Sequence, residues 1–194
     1  MKRRSFWMFV AVVMLAITLQ VPCTAQATGP ALPAQYAATA IGQAGPVAGK
    51  TFALNIYIDG VTSDGEASEL ASVLKAKGQD GLLKAFGNLN DKGRLSPTGS
   101  VGTGMRFVRI HPTSNGGQKI VLVTDRTISF GELYNMTRST DYPFSIVVLN
   151  LDKDGKGTGQ FAPLCKVRFN KKNELEIEHL GQKPFRLANV YKEK

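Results

Sequence analysis

Cysteine is scarce in this chain: its 194 residues include two, Cys23 and Cys165. Cys23 falls in an N-terminal segment that the pattern predicts to be removed during export. Cys165 is then the one cysteine of the mature chain, which excludes an intramolecular disulfide. The fold must therefore be stabilised by packing.

The N-terminus is typical of a secretory signal peptide. Three basic residues at positions 2–4 precede an apolar run over 6–19, which is too short to span a bilayer as a helix. Ala25 and Ala27 are small residues of the kind that a signal peptidase recognises, so we predict cleavage after Ala27. We expect an exported protein, periplasmic or extracellular, with no transmembrane segment once the signal peptide is removed.

Acidic residues are also scarce: 15 Asp and Glu stand against 24 Lys and Arg, for a formal net charge of +9. Loss of the signal peptide lowers this charge to about +6. A moderate positive charge suits an anionic envelope polymer or lipid head groups as partner, but a merely soluble basic surface explains the charge better. A small ligand is the other candidate partner. Nucleic acid is not expected as a partner, because Glu174, Glu176 and Glu178 match the basic residues near the C-terminus.

Two segments are poor in bulky apolar residues. Residues 28–50 are rich in Ala, Gly and Pro and nearly uncharged, which predicts a flexible tether ahead of a single globular domain over 51–194. Residues 93–104 are rich in glycine, which predicts a loop or an irregular edge strand.

The domain begins with a strand followed by helix. Apolar residues alternate over 52–58, which is typical of a strand with one buried face. Ser63 and Glu66 fit a capping box at the start of a helix. Gly78 is placed to end that helix, and a second, shorter helix follows with Gly87 after it.

The dipeptide Asn-Gly at 115–116 is the strongest two-residue hairpin signal in the chain. A type I′ turn at this position places Val108 opposite Val123. The same register places Arg106 opposite Asp125, so that it satisfies both packing and charge.

The segment from Tyr142 to Phe169 is predicted to form the centre of the sheet. Residues 144–151 are apolar on both faces, which indicates a central strand that is covered on both sides, with the helical pair as one cover. After a turn, residues 164–169 alternate and pair with 174–179 in a second hairpin. The predicted register places Val167 opposite Leu175 on an apolar face.

The turn inside this segment offers candidate metal ligands. Asn150, Asp152 and Asp154, followed by Gly155, match the first half of a calcium-binding loop. Phe161 occupies position twelve, where such a loop needs a bidentate carboxylate. Asp-Gly is also a hairpin signal in its own right, so the plain turn is favoured over the calcium site.

The catalytic residues stay unknown. Cys165 with His179 as its base would form a nucleophilic dyad, but both lie on the apolar phase of their strands, which indicates a buried cysteine and a core histidine. An envelope hydrolase would instead use loop residues such as Asp125, Arg126 and Glu132.

These patterns together predict an α+β fold. It consists mainly of an antiparallel sheet of about seven or eight strands, curled or forming a partly closed barrel, with a short helical pair after the first strand. No cofactor is expected apart from the calcium candidate.

Parts of the chain resemble exported bacterial proteins that carry no assigned function. The similar parts are Val-Thr-Asp-Arg at 123–126 through Phe144, the turn over 153–159, and Leu-Ala-Asn-Val at 187–190. The resemblance covers most of the mature chain and implies no activity. From the residues we expect a non-catalytic binding or envelope-associated module that uses the sheet face or the barrel mouth, with an envelope hydrolase as the alternative.

Overall fold

The structure is a computed structural model that describes residues 31–126, 128, 141–170, 174–180 and 183–193. The predicted signal peptide and its cleavage position lie outside these residues.

Ten β-strands, one α-helical element and a short 3-10 helix over Gly45–Val47 follow one another along the described residues. Their bounds are β1 Ala34–Ile41, β2 Thr51–Ile58, α1 Asp64–Gly87, β3 Gly93–Pro97, β4 Thr103–Met105, β5 Phe107–Pro112, β6 Gln118–Thr124, β7 Phe144–Leu151, β8 Lys156–Phe169, β9 Leu175–His179 and β10 Phe185–Lys192. Every pairing is antiparallel. The predicted class is therefore confirmed, but the predicted seven or eight strands are too few.

Strand β1 lies inside the segment that the sequence predicted to be a flexible tether. It pairs with β2 on one side and with β10 on the other. Its inward positions hold Ala34, Tyr36, Ala38 and Ala40, all of them buried. The alternation escaped the sequence analysis because alanine is a weak apolar signal, although a small side chain is what a crowded barrel interior accepts.

Strands β3 and β4 lie in the glycine-rich segment that was predicted to be a loop or an irregular edge. Leu95 and Met105 point inward and are fully buried. Gly93 lies so close to β2 that a Cβ atom there would be 2.3 Å from the carbonyl oxygen of Tyr57. Glycine in this segment thus permits close strand approach rather than flexibility.

The sheet curls into a nearly closed barrel. Its strand order is β4-β3-β2-β1-β10-β8-β7-β6-β5, with β9 paired to β8 outside this path. The two ends of this order, β4 and β5, are consecutive along the chain and are separated by Arg106. The Arg106 N–H donates to the carbonyl oxygen of Val123 on β6 (3.1 Å), which joins the ends.

The barrel interior is filled by side chains. Its members are mostly branched aliphatic residues with a few aromatic rings and three alanines: Ala34, Tyr36, Ala38, Ala40, Val47, Leu54, Ile56, Ile58, Leu95, Met105, Val108, Ile120, Leu122, Ile128, Val147, Leu149, Leu151, Phe161, Phe185, Leu187 and Val190. A second apolar cluster lies on the outer face, between the sheet and α1. Strand β7 contributes to both clusters, so the prediction that it is covered on both faces is confirmed.

The first predicted hairpin forms, but its register differs by one residue. Val108 pairs with Leu122 rather than with Val123. Three residues, Ser114 to Gly116, connect the strands, and Gly116 has φ 79°. A three-residue loop that ends in a left-handed residue replaces the two-residue turn. The change exchanges the two faces of β6, so that Val123 lies on the outer face.

The second predicted hairpin also forms in a different register. Val167 pairs with Ile177 rather than with Leu175, and the Asn170 N–H donates to the Glu174 carbonyl oxygen (2.9 Å). The predicted pairing would leave a single residue in the loop, which is shorter than hairpin loops allow. Because the shift is two residues, each side chain keeps its predicted face.

Helix α1 begins at the predicted capping box. The Glu66 N–H donates to Ser63 Oγ (3.2 Å), and the Ser63 N–H donates to Glu66 Oε2 (2.9 Å). The structure has one helical element rather than the predicted pair, and Gly78 interrupts it with φ 64° and ψ −163°. We call residues 64–77 the first arm and residues 79–87 the second arm.

Substitution of Gly159 tests the packing of the barrel interior. A Cβ atom at Gly159 would lie 2.4 Å from the Val148 carbonyl oxygen and 3.0 Å from Leu149 Cδ2. We therefore expect Gly159→Ala to lower the free energy of unfolding by about 1–3 kcal/mol in urea denaturation. Gly60→Ala is the control, because no atom lies within 4 Å of the added carbon. Equal effects of the two substitutions would contradict a tightly packed interior.

Candidate functional site

An apolar groove lies between α1 and the outer face of strands β5 to β9. It contains about 740 Å³ of empty space, part of it open to solvent. All fifteen lining residues are apolar: Ala67, Leu70, Ala71, Leu74, Leu82, Phe86, Phe107, Val121, Val123, Phe144, Ile146, Val167, Phe169, Leu175 and Ile177. We refer to this space as the groove.

Two polar contacts to the sheet hold the first arm of α1 at its two ends. Arg109 of β5 donates to Asp64 at the start of the first arm (2.5 Å). At the kink, Gln79 Oε1 accepts from the Val167 N–H of β8 (3.1 Å). The first arm therefore runs from β5 to β8, and the second arm returns from β8 towards β5.

The second arm packs closely on the sheet through Phe86. Its ring stacks on Phe107 with a centroid distance of 6.5 Å and meets Phe144 edge-on at 5.3 Å. The first arm buries Leu70 and Leu74 in the same cluster, but it also presents Ala67 and Ala71 to the groove, and these methyl side chains leave space beside them. The empty space follows from this difference between the arms.

Strand β9 leaves one wall of the groove exposed. It pairs with β8 alone among the described strands. Leu175 is 56% exposed and Ile177 is 40% exposed, although both line the groove. The sequence analysis expected a dry face at this position, and the structure shows an apolar surface in contact with solvent.

The loop residues proposed for a hydrolase take part in structural contacts. Asp125 Oδ2 accepts from Arg106 Nη1 (3.0 Å), as the sequence predicted for this ion pair, and the two side chains are 13% and 12% exposed. Arg106 Nη1 also donates to the Phe86 carbonyl oxygen at the end of the second arm (2.6 Å). Arg126 Nη1 lies 3.9 Å from Asp91 Oδ2. Glu132 lies outside the described residues.

The structure brings Cys165 and His179 together: Cys165 Sγ lies 3.4 Å from His179 Nδ1. Cys165 is fully buried, and burial raises the pKa of its thiol to about 12. Partial desolvation lowers the pKa of His179, but the residue is exposed, so the prediction of a core histidine is wrong. Both groups are therefore uncharged at neutral pH, and a neutral thiol is a poor nucleophile.

In the acidic turn, the candidate metal ligand Asp152 is hydrogen bonded to the backbone of the turn itself. Asp152 Oδ1 accepts from the N–H groups of Asp154 and Lys156, each at 2.9 Å. A calcium ion would have to compete with both hydrogen bonds for this oxygen. In the described part of the chain, no group of three or more His, Cys, Asp or Glu side chains is placed to hold a metal ion. Calcium at Asn150, Asp152 and Asp154 stays a prediction.

No protein-family model, curated protein or solved structure matches this chain. The resemblance to exported bacterial proteins stays a prediction. Of the helical residues that the structure describes, none belongs to a helix with the length and hydropathy required to cross a membrane.

Sequence analysis missed the groove, although the chain carries a signal for it. Strands β5 and β6 are apolar in both phases, as Phe107 beside Val108 and Leu122 beside Val123 show. A strand that is apolar on both faces is covered on both faces. The predicted register hid this signal, since it placed Val108 and Val123 on a common face.

The buried ion pair generates a stability prediction. Arg106→Leu leaves the Asp125 carboxylate buried without its partner, so we expect a loss of about 3–5 kcal/mol in the free energy of unfolding. The double variant Arg106→Leu/Asp125→Leu should recover most of this loss. Arg168→Leu breaks an exposed ion pair with Glu176 and should lose less than about 1 kcal/mol. Similar losses for Arg106→Leu and Arg168→Leu would show that the buried pair contributes no more to stability than an exposed pair.

The buried thiol generates a prediction on reactivity and pH. Iodoacetamide at pH 7.5 should modify native Cys165 about 100-fold more slowly than the unfolded chain. The folded pKa of about 12 exceeds the ordinary value of 9.0, so the folded protein keeps a proton that the unfolded chain loses. The free energy of unfolding should therefore fall as pH rises from 9 towards 12, more steeply than in Cys165→Ala. Rapid native alkylation would instead indicate an activated cysteine.

Proposed function

We propose that this protein is an exported, non-catalytic binding protein that holds an apolar chain in the groove. The observation that carries the proposal is the lining: all fifteen residues are apolar, and none of them titrates. Ligand sites in proteins typically measure about 300–1,000 Å³ and are mainly hydrophobic. The groove has this apolar character, and its cavity volume of about 210 Å³ lies below this range, which suits a narrow ligand such as a single alkyl chain.

The exposed wall supports a ligand rather than an inert void. Leu175 and Ile177 keep large apolar side chains in contact with water. Contiguous exposed apolar surface of this kind marks binding sites, because covering it removes apolar area from water. A chain in the groove would cover these two residues together with the floor residues Val121 and Ile146.

The filled barrel interior favours the outer groove as the site. The sequence analysis considered both the sheet face and the barrel mouth. Tyr36, Phe161 and Leu187 occupy the interior and are almost fully buried, so a ligand there would displace core side chains. The groove needs no such displacement.

The contacts of the candidate catalytic groups favour binding over hydrolysis. Asp125 is paired with Arg106, and Cys165 is a buried neutral thiol. Neither group faces the groove as an acid, base or nucleophile. Association with the cell envelope belongs to the same proposal and rests on the predicted signal peptide and the basic charge.

Fluorescence titration with an apolar naphthylamine dye tests the proposal. We expect the dye to bind at micromolar concentration and dodecanol to displace it. Ala71→Trp places an indole in the groove and should weaken dye binding at least about tenfold, because the volume is then occupied.

Ala76→Trp is the matched control. Ala76 is exposed on the same arm but does not line the groove, so this variant should bind like the parent. Equal affinities of the two tryptophan variants, or no dye binding by the parent, would refute the groove as the site. Thermal unfolding of both variants checks that they are folded.

A further inference from the structure

The outer face of β5, β6 and β7 changes from apolar to basic along the strands. Backbone pairing places outward side chains in three rows. The apolar row is Phe107, Val123, Ile146 and Ala162; the middle row is Arg109, Val121, Val148, Gln160 and Arg186; the polar row is His111, Lys119, Asn150 and Thr158. The groove covers part of the apolar row and reaches Val121 of the middle row.

Lys119 is the first cation beyond the groove on β6. It lies two residues from Val121 on the same face, which corresponds to about 7 Å along a strand. Its side chain is exposed. The ion pairs formed among the described residues involve other cations. Lys119 is thus available to an anion at the end of the groove.

The three rows carry positive charge without negative charge. Arg109, Lys119 and Arg186 are cationic, and no member of the rows is acidic. Arg109 forms an ion pair with Asp64 of α1, so Lys119 and Arg186 supply the remaining positive charge of the rows. An anion at Lys119 therefore meets no described carboxylate within the rows.

We propose, on the basis of the proposed function, that the ligand is a long-chain fatty acid whose carboxylate binds Lys119. Its hydrocarbon chain lies in the groove against Val121, Val123 and Ile146. The apolar row contacts the hydrocarbon chain of the ligand, and Lys119 of the polar row contacts its carboxylate. A carboxylate at the groove end is attracted by the Lys119 charge, whereas an uncharged chain gains nothing from it.

Competition between matched ligands tests this proposal. Dodecanoate and dodecanol displace the naphthylamine dye at pH 8 and low salt, both below their aggregation concentrations. Dodecanoate should bind more tightly than dodecanol. Lys119→Glu should weaken dodecanoate about tenfold and Lys119→Ala about two- to fivefold, with dodecanol changed less than about twofold. Higher salt should weaken dodecanoate alone.

Lys84→Glu is the matched control for charge. Lys84 is exposed on the second arm between the lining residues Leu82 and Phe86 but does not line the groove, so it should leave both affinities unchanged. If both ligands bind and Lys119→Glu behaves like Lys84→Glu, the carboxylate site is refuted and the groove stands. Tighter binding of dodecylamine than of dodecanoate would also refute it. If neither ligand binds, the proposed function itself fails.

Discussion

The ion pair between Arg106 and Asp125 lies at the point where the barrel closes and where α1 ends. The Arg106 backbone continues β4 into β5 and donates to β6, which closes the barrel. Its guanidinium reaches Asp125 and the Phe86 carbonyl oxygen, which fixes the end of α1. A buried pair of this kind stabilises through geometry more than through net charge attraction. The backbone of Arg106 thus contributes to barrel closure, and its side chain contributes to the placement of α1.

The groove is a consequence of how α1 is held. Its ends are fixed at Asp64 and Phe86, and its middle is fixed by Gln79, directly after Gly78. An uninterrupted helix of this length could not reach from β5 to β8 and back. The change of direction at Gly78 lets both arms cross the sheet, and only the second arm carries an aromatic side chain into contact with it. Space remains beside Ala67 and Ala71 of the first arm, while Leu70 and Leu74 of the same arm are buried.

The sequence predicted the elements whose signals are local, such as the Ser63 capping box, the double-sided strand β7 and both hairpins. It did not predict β1, because Ala38 and Ala40 carry little apolar signal, nor the registers, which depend on loop length. The groove lay beyond prediction for a different reason. Its walls come from one helix and five strands, and residues such as Val121 and Leu175 become neighbours only once the registers are known. Cys165 was correctly predicted to be buried, whereas His179 was predicted to lie in the core and is exposed at the sheet edge.

Strand β9 gives the molecule two levels of local stability. The barrel strands each pair on both sides or close the ring, whereas β9 is hydrogen bonded to β8 alone among the described strands. Separating β9 breaks one ladder and leaves the barrel intact, so its opening free energy can lie well below that of global unfolding. The groove therefore combines a floor on the barrel with a wall that can separate independently, which gives the proposed ligand an entry that leaves the barrel core intact.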